Sequence, residues 1–454
     1  MKEEVDRHLR RNYVLGIANG VLFMAGSSIF GPALILPQFL STIFESNTLV
    51  GIGANLFRIG WALLQIVVAY FLRALKRRKP VYIIANTLRL GLVGLFILSL
   101  YLLQDNLRVV GVLFFIFVGL ATLTAGPVGL AFQDIVARVI PSEKRGTFVA
   151  YRVLGGQGFT ALGVGIVIRY VLARPEMFPY PTNYLVIFAM GWVLMVSGAT
   201  AFSLIKEPPD NLSRPLPRFK SYFFELFLIV RRDRNFRRFL IVRALRICEA
   251  LAIPFYIVFA RVVLGVGPEA AGTFYIVGIL TALPSSLLWG RAADRFGNRI
   301  VIITSCLVAM AAPLIALGLV TANAAGFPAA AEYSFQAAGV QLSVSATALT
   351  VGLVAPIFVS VHSAAVGGMI GLNHYVMDSA PPRRRPLYLG TSTSLMGLLM
   401  LIMPALGGAT IDIVEKITGQ AGYWVVFVVA AVALAMAAVF ARGLYEPRKT
   451  VPWH

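Results

Sequence analysis

The chain has 454 residues, of which 58% are hydrophobic and only 13% charged. Soluble domains are about 45 to 50% apolar and about 25% charged, so this chain has too few charges to cover its apolar surface in water. It carries 40 Lys and Arg against 20 Asp and Glu, a net charge of +20. Such an excess marks either nucleic acid binding or membrane topology, and its distribution along the chain decides between them.

The N-terminal stretch MKEEVDRHLRRNY precedes an apolar run from Val14 to Leu40. That run is longer than a signal-peptide core and lacks a small-residue cleavage site, so it is read as a retained first span. A bilayer core about 30 Å thick needs roughly 20 mostly apolar helical residues per crossing. Twelve such runs follow one another: 14–40, 47–72, 81–103, 109–131, 147–172, 183–205, 237–264, 270–290, 300–321, 346–375, 386–411 and 421–443. They are continuous and do not alternate with a period of two, which excludes a closed barrel. Pro32, Pro127, Pro254, Pro284, Pro313, Pro356 and Pro404 fall inside them, which membrane helices tolerate because neighbours re-satisfy freed backbone groups. The two cysteines, Cys248 and Cys306, also lie in apolar runs, so a disulfide framework, a zinc site and a CxxC motif are excluded.

Thirty basic residues fall on the side that holds the N-terminus, in the segments before span 1, after each even-numbered span and at the C-terminus; the opposite loops hold only Arg108, Arg174 and Lys416. That asymmetry predicts cytoplasmic termini and a cytoplasmic central loop. The charge therefore reports topology and gives no support to nucleic acid binding.

A proline-rich stretch, KEPPDNLSRPLP, separates two sets of six spans. Between Lys220 and Arg232, Phe223, Phe224, Phe227 and Leu228 are bordered by basic residues, predicting a short interfacial helix; a solvated charged linker is the alternative. IPSEKRGTFVAY at 140–151 aligns with APPRRRPLYLGT at 380–391, matching Pro141 with Pro381 and Arg145 with Arg385. This weak similarity suggests duplication. The stretch from Thr321 to Ser345 has no counterpart in the first half and reads as an external segment.

With GRAADRFGNR at 290–299 the chain resembles the major facilitator superfamily, matching that family's Gly-x-x-x-Asp-Arg-x-Gly-x-Arg motif at Gly290, Asp294, Arg295, Gly297 and Arg299. The loop between spans 2 and 3, FLRALKRRKP, keeps only the motif's basic character. The resemblance implies an all-α polytopic membrane protein with twelve transmembrane helices in two pseudo-symmetric six-helix bundles. The bundles span residues 1–205 and 237–454, joined by a cytoplasmic loop at 206–236. It further implies an inner gate, in which Asp294 faces the start of span 5 near Gly146 and Thr147, and Arg295 or Arg299 approaches Asp378. Those contacts form only when the cytoplasmic ends are closed.

In transporters built from repeats the site lies near the midplane between halves, and polar groups at that depth are costly. The resemblance places the site among spans 1, 4, 7 and 10, where the cavity candidates are Asn19, Gln133, Arg246, Glu249, His362 and Asn373; Arg58 of span 2 lies at similar depth. Arg243, Arg246 and Glu249 follow a spacing of three on adjoining helical faces. Glu249 then either pairs with Arg246 or carries a proton, and Arg246 either holds an anion or closes an internal ion pair. His362 is suited by its ordinary pKa to proton coupling, or is hydrogen-bonded within the bundle. Span 4 lacks the arginine of many proton-coupled drug exporters, and span 5 lacks their Gly-Pro pair.

No GxxxxGK[ST], HExxH or GxSxG motif and no paired carboxylates occur, so neither an ATP-driven pump nor an enzyme is expected. The expectation is a secondary transporter of a small organic solute, with a coupling proton as a second partner, working by alternating access. A sensor built on the same fold is the alternative. It is read as a monomer without cofactor or metal, in a bacterial inner (plasma) membrane.

Overall fold

The computed structural model describes residues 2–63, 75, 77–208, 227–327, 332–337, 340–381 and 385–446. Helices α1 (Lys2–Ile29), α2 (Ile35–Ile43), α3 (Asn47–Leu63), α4 (Lys79–Leu102), α5 (Leu107–Leu123), α6 (Ala125–Val139), α7 (Ser142–Phe159), α8 (Gly165–Leu172) and α9 (Thr182–Ser203) make up the first half of the chain. The second half holds α10 (Arg234–Ile247), α11 (Ile253–Val262), α12 (Ala270–Phe296), α13 (Asn298–Ala324), α14 (Ala346–Ser379), α15 (Arg385–Thr418) and α16 (Tyr423–Ala441). Among the described residues, nine helices are long and apolar enough to cross a bilayer. The expected span 47–72 is described only to Leu63. The span at 386–411 forms the continuous α15.

Two expected spans, each the first of its half, are interrupted near prolines, and the run 109–131 also breaks, at Thr124 between α5 and α6. The run 14–40 breaks between Ile29 and Ile35, where Pro32 lacks an amide hydrogen to donate. The run 237–264 passes through a 3-10 turn at Cys248–Leu251 and restarts with Pro254 in the first turn of α11. Proline is pre-organised for that position, because the amide it lacks would have no intrahelical partner there. Pro284, Pro313, Pro356 and Pro404 sit inside α12, α13, α14 and α15. A π segment, Thr160–Val164, joins α7 to α8.

The expected external stretch 321–345 contains the tail of α13 and an antiparallel hairpin of Glu332–Ala337 with Val340–Ser345. Of the expected interfacial helix, residues 220–226 lie outside the described residues, and 227–232 are helical.

The apolar packing differs between the two ends of the bundle. At the end away from the N-terminus, one continuous core joins Phe39, Phe96, Phe114 and Phe188 of the first half to Phe255, Phe259, Phe274 and Phe358 of the second. At the end bearing the N-terminus, called here the basic face, the core divides. Tyr82, Ile135, Phe148 and Phe202 cluster within the first half, and Phe236, Phe239, Tyr375 and Tyr388 within the second. Close approach of α3 to α15 underlies the joined end. A Cβ at Gly51 would collide with the Pro404 carbonyl, and one at Gly408 with the Asn47 carbonyl, as expected where small residues let membrane helices meet. Gly408→Val should destabilise the protein by about 1 to 3 kcal/mol through overpacking, read as a lower thermal midpoint in detergent. An unchanged midpoint would mean that the α3–α15 contact is looser than described.

Candidate functional site

The joined end is held by polar groups as well as by packing. Asp412 of α15 accepts hydrogen bonds from Ser46 Oγ (2.8 Å), Asn47 N (2.9 Å), Asn47 Nδ2 (3.0 Å), Thr48 N (3.1 Å) and Thr48 Oγ1 (2.8 Å). It thus caps the N-terminus of α3 from the other half of the chain, where exposed amides favour a carboxylate. Near it, Gln38 Nε2 donates to the Pro268 carbonyl and Arg261 Nη1 to the Gln38 carbonyl, both at 3.3 Å. The hydroxyls of Ser28 and Tyr275 meet between the halves.

On the basic face each half carries its own version of one device. In the second half Gly297, at φ +89°, turns the chain from α12 into α13. A Cβ there would lie 2.6 Å from the carboxyl carbon of Glu446, so glycine serves both the left-handed conformation and the close approach. Glu446 accepts from the Arg299 amide (2.8 Å), capping α13. In the first half Glu207 accepts from the amides of Arg78 (2.9 and 3.0 Å) and Lys79 (2.9 Å), capping α4. Asp134 then binds Arg78 and Arg138, each at 2.8 Å. Neither glutamate figured in the sequence reading. The repeated Glu-Pro pair, Glu207-Pro208 and Glu446-Pro447, was the available signal.

The residues of the expected gate have these neighbours. Asp378 is met by Asn298 Nδ2 at 2.8 Å; the Arg299 guanidinium reaches the Leu444 carbonyl at 3.3 Å, and that of Arg295 lies 5.3 Å from the Phe296 ring centre. Asn298 is shorter and stands at the first position of α13, directly beneath the end of α14. Asp294 is exposed, and Thr147 is engaged by Tyr13 at 3.2 Å. The side chain of Gly146's neighbour Arg145 lies outside the described residues. Gly290 has open space beside it.

Among the cavity candidates, Arg246 and Glu249 are brought together as a buried ion pair. Arg246 Nη2 also donates to the Ala364 carbonyl at 3.0 Å, so the pair is seated against α14. Of the two readings for Glu249, pairing is the one observed. Arg243 is joined to Ser392 of α15. His362 Nδ1 lies 2.9 Å from the Phe358 carbonyl of its own helix, and the ring rests on Gly278 of α12. Asn19 is buried and donates to the Gly198 carbonyl at 2.9 Å, which ties α1 to α9. Gln133 is exposed and Asn373 half-buried. The side chain of Arg58 lies outside the described residues.

Two arginines that the sequence reading passed over stand in the first half. Arg152 of α7 donates through Nη1 to the Gly16 carbonyl and, at 3.1 Å, to Asn19 Oδ1. Its guanidinium lies 4.5 Å from the Phe132 ring centre. Arg89 of α4 is 8% exposed and lies 4.4 Å from the Phe57 ring and 5.7 Å from the Phe23 ring. A desolvated cation–π contact is worth about 2 kcal/mol, whereas a charge at mid-membrane costs about 2.5 to 3.5 kcal/mol even on the mildest scales. The rings alone therefore leave Arg89 under-compensated.

These features define a polytopic helical membrane protein whose two halves share one apolar core at one end and, among the described residues, keep separate clusters at the other. The chain belongs to the Major Facilitator Superfamily, whose family profile matches residues 18–369. No sequence among the curated proteins matches it. Among solved structures, a mutant of the nucleoside transporter NupG is 13% identical, with TM-score 0.69, covering 96% of this chain and 100% of its own. The D-xylose-proton symporter is 16% identical, with TM-score 0.67, covering 97% of this chain and 99% of its own. A bacterial homologue of the iron transporter ferroportin, in an inward-facing state, is 16% identical, with TM-score 0.65, covering 96% and 98%.

Breaking the buried pair with Glu249→Gln should cost about 3 to 5 kcal/mol by stranding Arg246, while Arg246→Met combined with Glu249→Leu should recover most of that loss. Thermal unfolding of the single and double variants checks this. Equal destabilisation by both would mean that the pair does not act as a unit.

Proposed function

We propose that the protein is a secondary transporter that moves a small organic solute across a membrane by alternating access, with bundles 1–205 and 237–454 rocking about the joint between them. The observation that carries this reading is the contrast between ends: one shared core and the Asp412 cap at one end, two separate cores at the other. A packed interface is bistable and is not continuously deformable, so closing the basic face would require opening the Asp412 end.

The excess of positive charge makes the basic face cytoplasmic, with both termini inside a plasma membrane. On that orientation the conformation is inward-open, and exposed Asp294 belongs to an inner gate in its released state. Asp294→Asn would then hinder closure, and cysteine labelling from the cytoplasmic side would increase at cavity positions. Unchanged labelling removes the gate role.

Transport itself is tested by uptake into vesicles containing the purified chain, acting as a monomer, across a panel of neutral and charged solutes. Saturable uptake that exceeds protein-free vesicles is expected; binding without flux would favour a receptor.

If a proton drives the cycle, His362 suits it better than Glu249, whose charge is already matched by Arg246. The imidazole changes charge near neutrality, so His362→Gln should flatten the dependence of uptake on external pH between about 5 and 8. An identical pH profile in the variant excludes the proton role.

A further inference from the structure

Each half of the chain carries a basic cleft on the basic face, and the two clefts are built alike. In the first half a cleft of about 460 Å³ is lined by Asn12, Arg77, Lys79, Ile83, Lys206 and Glu207. In the second half one of about 700 Å³ is lined by Arg234, Asn235, Arg238, Arg299, Arg442 and Glu446. Each lies between the first helix of its half (α1 or α10), the start of the helix after the basic loop (α4 or α13) and the end of the last helix with the segment beyond it (α9 or α16).

The same bonds shape each wall. Asn12 Oδ1 accepts from the Lys206 amide at 3.0 Å, and Asn235 Oδ1 from the Tyr445 amide at 3.2 Å. Lys206 and Tyr445 each precede the glutamate that caps the neighbouring helix. Three residues before that glutamate, the carbonyls of Leu204 and Gly443 accept from Arg11 of α1 and Arg238 of α10. These clamps account for the backbone of the clefts but not for their surplus of cations. Glu207 is engaged by the α4 amides and lies 3.7 Å from Arg138, and Glu446 is engaged by the Arg299 amide. Among the described residues no acid pairs with the side chains of Arg77, Lys79, Lys206, Arg234 or Arg442. A concave wall lined by one sign of charge concentrates its field on an anion.

The lower wall of the first cleft identifies the kind of anion. Ile83 stands one turn along α4 from Lys79, on the same face. It is exposed, as are Ile84 and Leu88 beyond it, on a helix apolar enough to cross a bilayer. The cleft therefore runs from a basic rim onto an apolar flank, which matches a phosphate with an acyl chain beneath it.

We propose that the two clefts are paired seats for the phosphate headgroups of anionic phospholipids in the leaflet at the basic face, one for each bundle. Guanidinium and ammonium groups hold phosphate oxygens by charge-assisted hydrogen bonds, and in the first cleft the acyl chain lies along Ile83. Each lipid ties together the three segments of its own half. The seats require neither transport nor a particular side of the membrane for the basic face.

The test is native mass spectrometry of the full chain released from detergent and titrated with phosphatidylglycerol or phosphatidylcholine. Two phosphatidylglycerol molecules should bind about tenfold or more tighter than phosphatidylcholine. Lys79→Gln combined with Lys206→Gln should weaken one of the two by about thirtyfold, and Arg234→Gln combined with Arg442→Gln the other. Arg77→Gln, at an exposed position, serves for the first cleft should the lysine pair fail to fold. Lys144→Gln combined with Arg291→Gln removes equal charge from exposed positions of the same face outside both clefts and should change neither affinity. Equal affinity for the two lipids, unchanged binding in folded cleft variants, or equal weakening by the Lys144 and Arg291 control would each overturn the proposal. Weakening by only one pair of cleft variants would overturn the pairing. Displacement of phosphatidylglycerol by an equal concentration of glycerol 3-phosphate would reassign the clefts to soluble phosphates and overturn the lipid seats.

Discussion

A single carboxylate, Asp412, accepts five hydrogen bonds from three consecutive residues at the start of α3. Two of the donors are backbone amides that the helix cannot satisfy by itself. Hydrogen bonds to a charged group contribute about 1.5 to 3 kcal/mol each, and although such values do not add, this cap is strong enough to fix one end of the molecule. The two halves of the chain meet here through groups more than 360 residues apart in sequence. The glycines that let α3 and α15 approach, Gly51 and Gly408, stand in the same contact. With this end joined, the described residues of the basic face fall into a separate core in each half.

The two halves solve the same local problem in the same way. The helix that follows each basic loop, α4 or α13, begins with amides that need an acceptor, and a glutamate from just beyond α9 or α16 supplies it. Those acids are thereby committed within their own bundles, as Glu249 is committed to Arg246. Among the described residues, Arg89 and Arg152 in the first half and Arg243 in the second have no bonded carboxylate, whereas the much larger surplus on the loops concerns orientation.

Much of the helical architecture was legible in the sequence because hydropathy over about 20 residues reports membrane burial directly. The breaks in the first helix of each half were less legible. Pro32 and Pro254 were visible, but a membrane helix tolerates proline, so the residue alone does not distinguish a kink such as Pro313 from an interruption. Gly297 was singled out by its motif, and its φ of +89° supplies the physical reason. The pairing of Arg246 with Glu249 could be read from their spacing of three. Asp412 could not, because its partners lie on another helix at remote sequence positions. Arg89 and Arg152 are single arginines in apolar runs, and only the lack of a bonded acid among the described residues, a property of the folded packing, sets them apart.

The central claim is that the two ends open and close reciprocally about the Asp412 joint. It is tested most directly by spin-label distances in nanodiscs, with one pair at Asp105 and Gln420 on the joined end and another at Lys144 and Arg291 on the basic face, all exposed positions. On replacing Asp412 by Asn, the account predicts that the first distance lengthens while the second shortens, in matched fractions of the population. Lengthening at the joined end with no change at the basic face would contradict it.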